Sequence, residues 1–179
     1  EYERSRKSLF VGNFLGGPGG QSKPRVVEVR AVTGHISSTI PGFLNMDCDV
    51  TGDGKLFCYS RARFKPGGHV PEASDLYLAN IAGGDGSILA RKDSDRMLAR
   101  VNTQDLEYAP CFGRNGMDLY FTRAYLGTGA GGRGKAIDVR IMIASRKSLA
   151  EPFGEPARIM HIEGLVEGPS LSGDGQSLF

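Results

Sequence analysis

One short pattern recurs three times and constrains the fold more than any other feature. Cys48-Asp49-Val50-Thr51-Gly52-Asp53-Gly54, Pro110-Cys111-Phe112-Gly113-Arg114-Asn115-Gly116 and Pro169-Ser170-Leu171-Ser172-Gly173-Asp174-Gly175 align without gaps. Gly54 to Gly116 is a step of 62 residues, and Gly116 to Gly175 is a step of 59. The first two copies run on into Lys55-Leu56-Phe57-Cys58-Tyr59-Ser60-Arg61 and Met117-Asp118-Leu119-Tyr120-Phe121-Thr122-Arg123. The third runs into Gln176-Ser177-Leu178-Phe179. An Asp-Gly or Asn-Gly pair between β-prone stretches is the strongest short-range hairpin signal, and it predicts a type I′ turn with φ > 0 at both central residues. Three such hairpins at one period predict a repeated supersecondary unit.

The middle of each period matches as well. Asp75-Leu76-Tyr77-Leu78-Ala79-Asn80 parallels Arg140-Ile141-Met142-Ile143-Ala144-Ser145-Arg146, and both read as a third strand. Ser87-Ile88-Leu89-Ala90 and Ala157-Arg158-Ile159-Met160-His161 supply a fourth. Loops at 65–72, 82–86 and 127–135 separate the strands, and glycine, at 26 of 179 residues, is about twice its average usage. The approximate repeats are 1–46 (degenerate), 47–106, 107–165 and 166–179 (partial), in a single domain spanning 1–179. In the first, Lys7-Ser8-Leu9-Phe10-Val11 and Arg25-Val26-Val27-Glu28-Val29-Arg30 read as strands. No amphipathic helix is evident, and only 145–149 reads as a helical turn. The fold class is all-β, in four-stranded antiparallel units.

Charge and cysteine usage narrow the function classes. With 22 Lys+Arg against 20 Asp+Glu the net charge is +2, which argues against a nucleic-acid partner. No apolar run reaches the ~20 residues a bilayer-spanning helix needs. Three cysteines, Cys48, Cys58 and Cys111, make no closed disulfide framework, and no C-x-x-C pair is present. They read as small buried hydrophobes. The chain starts at Glu1 and ends on a β-prone Ser177-Leu178-Phe179, as expected of a processed chain or of a piece of a larger ring. The edge of such a last strand would pair with Lys7 to Val11 or with another chain, so self-association through terminal strand edges is one expected partnership.

The repeat resembles a known family. Glu107-Tyr108-Ala109-Pro110 through Asn115-Gly116 to Leu119-Tyr120-Phe121-Thr122-Arg123 is similar to the TolB-type, WD-repeat-like β-propeller repeat. So is Ile143-Ala144-Ser145-Arg146-Lys147-Ser148 followed by Glu151-Pro152-Phe153-Gly154-Glu155-Pro156. The resemblance covers roughly residues 44–179. It implies a propeller of four-stranded blades, about three of them present, and a bacterial protein in the periplasm or secreted. Cys48 departs from the pattern where Pro110 and Pro169 stand. Propellers usually have four or more blades.

Several motifs imitate catalytic or binding signatures. Gly129-Ala130-Gly131-Gly132-Arg133-Gly134-Lys135 matches the first seven positions of a phosphate-binding loop, but the eighth is Ala136 rather than Ser or Thr. A strand-like Ile137-Asp138-Val139-Arg140 follows where a helix should start. No nucleotide cofactor is expected there. Asp49-Val50-Thr51-Gly52-Asp53-Gly54 opens like a calcium loop, but Ser60 stands where the bidentate Glu belongs, so the hairpin reading takes precedence over calcium. His35, His69 and His161 form no H-x-x-H pair, and Gly-x-Ser-x-Gly is absent.

Six residues remain as candidates. Asp47 and Asp49 flank the entry to one repeat's first strand, and Glu107 and Glu167 lie near the same place in later copies. The resemblance puts that strand at a central channel, so these are candidate channel-lining carboxylates. Arg61 and Arg123 hold matching places after the second strand and are expected to cap carbonyls or pair with acids. The sequence thus reads as a non-catalytic propeller module binding a protein or glycan. The alternatives are a carbohydrate-processing domain built on two channel carboxylates and a regulatory propeller of a larger hydrolase. No catalytic set and no metal site is assigned.

Overall fold

The computed structural model describes residues 10–15, 25–31, 42–82, 87–127, 136–162 and 164–179. Strands β1 (Phe10–Leu15) and β2 (Arg25–Ala31) pair antiparallel as a sheet of their own. Strands β3 (Phe43–Val50), β4 (Leu56–Phe64), β5 (Pro71–Ile81) and β6 (Ile88–Ala90) form a first antiparallel meander. A second follows in β7 (Leu106–Phe112), β8 (Asp118–Leu126), β9 (Ala136–Ser145) and β10 (Ala157–Arg158). One parallel bridge, Ser74 to Leu106, joins the meanders into a single mixed eight-stranded sheet that does not close into a barrel. Separate antiparallel sheets were the expectation. The join is held locally, because the buried Ser74 hydroxyl donates to the Glu107 carbonyl at 2.8 Å.

The three Gly turns share one geometry. Gly54, Gly116 and Gly175 each donate their N–H, at 2.8 Å, to the carbonyl three residues back, on Thr51, Gly113 and Ser172. Each loop closes with a second bond: Thr51 to Leu56 at 3.0 Å, Gly113 to Asp118 at 2.8 Å and Ser172 to Ser177 at 2.9 Å, donor first. The side-chain oxygens of Asp53, Asn115 and Asp174 each accept the N–H two residues on. Only the glycines have positive φ, at 69°, 70° and 71°. The turn is therefore a type I turn closed by a left-handed glycine, not the expected type I′. The short Asp or Asn side chain holds its own backbone in the right-handed region, leaving the glycine alone to reverse the chain.

The main core lies between the meanders. Leu56, Cys58, Leu76 and Leu78 from the first meet Phe112, Leu119, Phe121, Met142 and Ala144 from the second. Strand alternation sorts these residues. Phe121 and Leu119 face the first meander, and the intervening Tyr120 and Thr122 face away from it. Truncating a fully buried side chain such as Phe121 removes its contacts and leaves a void, a loss of about 3–5 kcal/mol. The opposite face of the first meander carries a second cluster of Phe57, Tyr59, Ala79 and Ile88.

Between the meanders lies a short helical turn, α1 (Ser94–Met97), where none was expected. Met97, Leu98 and Val101 are fully buried, and the Ser94 hydroxyl accepts the Leu78 N–H at 2.9 Å. Four residues are too few to nucleate a helix alone, so burial holds this one. The expected helical turn at 145–149 does not form. Arg146 instead extends the β8–β9 ladder by donating its N–H to Met117, at 2.9 Å. The fourth strand of the second meander ends at Arg158, and His161 beyond it has φ 64°.

Candidate functional site

Strands β3 and β7 lie side by side with no ladder between them, and the chain at 166–171 repeats their place after β10. A bulge interrupts each strand at the same point. The register shifts between Met46 and Cys48 in β3 and between Tyr108 and Cys111 in β7. The extra residues take positive φ, 43° at Asp47 and 50° at Ala109, and Gly168 at 68° is the third equivalent. A bulge re-aims the neighbouring side chains at the expense of one ladder bond. Two bulges and a third residue of positive φ thus recur at one place in successive repeats.

Side chains converge along this line. The Tyr108 hydroxyl donates to Glu167 Oε1 at 2.7 Å, and each of the two precedes a residue of positive φ, Ala109 and Gly168. Burial, then the bond to Glu167, pushes the Tyr108 phenol well above its ordinary range. Asp47 is exposed by area, yet partial burial is the main force raising its carboxyl above the usual range. Hydrogen bonds from the Ala109 backbone and the Ser60 side chain oppose that rise, and the Glu167 charge adds to it. Asp49 is used differently: its Oδ2 accepts the Phe112 N–H at 2.7 Å and ties one repeat to the next. One repeat on, the Leu171 backbone hydrogen-bonds the Cys111 thiol. The Thr122 hydroxyl accepts the Gly168 N–H at 3.0 Å, binding the third copy to the second meander.

The remaining candidates form a repeated cross-strand pair. Asn45 lies opposite Arg61, and Glu107 lies opposite Arg123. Arg61 Nε donates to Asn45 Oδ1 at 2.9 Å, and Arg123 Nε donates to Glu107 Oε1 at 2.8 Å. Glu107 is wholly buried rather than at a solvent-lined wall. Its carboxylate also accepts the Thr103 N–H at 3.0 Å and the Thr103 hydroxyl at 2.6 Å. Burial raises its carboxyl, and these bonds with the Arg123 charge oppose the rise. Arg123 in addition donates to the Val101 carbonyl at 2.7 Å, so it both caps a carbonyl and pairs with an acid. Arg61 stacks over Tyr77, 5.0 Å from the ring centre, on a face shared with Tyr59.

The structure brings Asp47 and Glu167 to one line and removes Glu107 from it. Asp49, Arg61 and Arg123 serve as connectors. Tyr108 belongs to the line and went unremarked in the sequence. Its signal is the equivalence of Met46, Tyr108 and Glu167, two residues before each copy of the gapless repeat. Asp53, the second acid of the calcium-like motif, spends Oδ1 on the Thr51 hydroxyl at 2.7 Å and on the Lys55 N–H at 3.1 Å. Among the described residues no three His, Cys, Asp or Glu side chains are grouped to hold a metal. Cys58 and Cys111 are buried as expected, but Cys48 is exposed; partial desolvation with the Asp49 and Asp47 charges still pushes its thiol up to about 11, which leaves it a poor nucleophile at neutral pH. His69 and His161 are exposed. His35 and the 129–135 glycine loop lie outside the described residues. No helix among the described residues is long and apolar enough to cross a membrane.

Neither a scan against protein-family models nor a search of curated proteins returned a match to this chain.

Proposed function

We propose that this chain is a TolB-like β-propeller module that binds a protein or glycan partner and catalyses no reaction. The observation that carries the reading is the recurrence of one detailed unit: the same turn three times, and the same bulge and a bond to the next copy from equivalent positions twice. The first meander packs one face against the second and carries a separate apolar cluster on its other face, as a stacked repeat requires. Such a scaffold presents recognition groups along its innermost strands. Tyr108, Asp47 and Glu167 are the groups here, and a tyrosine hydroxyl beside carboxylates suits both sugar hydroxyls and partner amides. A periplasmic or secreted location accompanies this family reading.

A glycosidase would need two carboxyl groups fixed across a sugar. Glu107 is already committed to Arg123 and Thr103, which leaves Asp47 with Glu167 as the pair to exclude. The test combines a glycan array, photo-crosslinking and a hydrolysis assay. A crosslinker replacing Tyr108 should capture one partner of defined mass from the native host, or the array should show saturable sugar binding that Tyr108→Ala abolishes. Reporter glycosides should not turn over. Glycoside hydrolysis lost in Asp47→Asn, or neither kind of binding, would overturn the reading.

A further inference from the structure

At the turn end of the sheet, away from the bulge line, the first two Gly turns enclose a cavity of about 310 Å³. Its walls carry four cations, Lys55, Arg91, Arg114 and Arg146, against one carboxylate, Asp53. The four come from separate elements: the first turn, the segment after β6, the second turn and the segment after β9. The fold itself therefore gathers the charge.

Arg146 anchors the site. It is buried, donates twice to the Gly116 carbonyl (3.0 and 2.8 Å) and once to Leu149 (3.4 Å), and stacks 4.4 Å from the Phe153 ring centre. No carboxylate among the described residues pairs with it, and burial together with the nearby Arg91 charge depresses its pKa. Arg91 is held by Asp93 through two 2.9 Å bonds, but Asp93 also serves Arg96 at 3.2 Å. Arg114 is exposed at the tip of the second turn and takes no side-chain hydrogen bond or ion pair among the described residues. Asp53 pairs with Lys55, 3.8 Å from its Oδ2, and Asp93 with Arg91 and Arg96, which leaves Arg114 and Arg146 without a carboxylate among the described residues. Like charges crowded into a half-enclosed cleft repel unless an anion enters.

We propose that this cavity binds a phosphate monoester of about sugar size. Guanidinium forks match phosphate oxygens two at a time. A phosphate monoester carries nearly two charges at neutral pH, which suits cations approaching from several walls better than a single carboxylate does. The cavity sits at the small end of the ~300–1,000 Å³ range of ligand pockets, enough for a phosphate and one ring. Asn80 and Leu149 in the lining offer an amide and an apolar surface to that ring. The inference does not rest on the propeller reading and concerns the turns rather than the bulge line.

Calorimetry at low ionic strength tests it, with glucose 6-phosphate, glucose, inorganic phosphate and citrate as probes. The expected result is saturable one-to-one binding of glucose 6-phosphate at about millimolar concentration or below, no binding of glucose, and weaker binding of inorganic phosphate. Arg114→Gln should weaken binding about tenfold, and Arg91→Gln with Arg114→Gln about a hundredfold, at one to two charge-assisted bonds lost. Added salt should weaken it further. Arg114→Gln should leave the melting temperature unchanged, which separates lost binding from lost folding. No saturable binding by the unmutated chain, equal binding by Arg114→Gln, equal binding of glucose, or binding of citrate in place of the sugar phosphate would each overturn the proposal.

Discussion

The two meanders solve the same local problem with different chemistry. At equivalent positions, an arginine from the second strand reaches back to a side-chain oxygen on the first. In the first meander the acceptor is the amide of Asn45, in a partly exposed site, with Arg61 against Tyr59 and Tyr77. In the second it is the carboxylate of Glu107, wholly buried, with Arg123 itself 7% exposed. The difference follows burial. A guanidinium near water needs only a polar neighbour, whereas one buried beside Val101 and Glu107 needs an opposite charge and every donor satisfied. Glu107 meets that need because Thr103 and Arg123 together occupy its lone pairs. A carboxylate that looks like a site residue in sequence is thus the internal counter-ion of its own repeat.

The largest expected effect tests this contrast directly. Glu107→Gln should cost about 3–5 kcal/mol in chemical denaturation, because it strands a buried guanidinium. Asn45→Ala should cost about 1 kcal/mol, since Arg61 keeps its aromatic stacking and access to water. Equal losses would show that the two pairs do the same job.

The turns give a second contrast. Gly54→Ala meets open space and should cost only the left-handed strain, about 1–2 kcal/mol. Gly116→Ala carries the same strain at φ 70° and also places a methyl 3.1 Å from Thr51 Cγ2 and 3.4 Å from Leu149 Cδ2. It should therefore lower the melting temperature further than Gly54→Ala. The connectors between repeats come next. Asp49→Ala leaves the Phe112 N–H without its acceptor and should cost about 1–3 kcal/mol, whereas Cys111→Ala removes only a weak sulfur acceptor and should cost less.

The smallest effect is one of pH. Asp47 holds its proton more tightly folded than unfolded, so the folded state binds more protons between the two pKa values. Stability should accordingly fall as pH rises from the ordinary carboxylate range, near 4, through the raised value. Asp47→Asn should flatten that part of the stability profile while tolerating the positive φ, since asparagine visits that region readily. A profile unchanged by the substitution would show that Asp47 is fully solvated in the folded chain.

Local chemistry determined much of this molecule before any packing was considered. Gly54, Gly116 and Gly175 mark three reversals because glycine takes positive φ without penalty, and the β-prone stretches around Leu56 to Tyr59 and Leu119 to Thr122 become strands on either side of them. The spacing of these signals is enough for the four-stranded meander. Tertiary structure decided what no local signal carries. The bulges at Asp47 and Ala109 fall on residues with no preference for the left-handed region strong enough to announce them, so the hydrogen bond between Tyr108 and Glu167 stays hidden until the strands pair. The helical turn at 94–97 is too short to have a period and exists because Met97, Leu98 and Val101 are buried in the core between the two meanders. The fate of Glu107 depends on Arg123, sixteen residues away, and on Thr103 across a loop. Whether a carboxylate faces water or a guanidinium is set by which chain segments enclose it, and enclosure is a property of the whole fold.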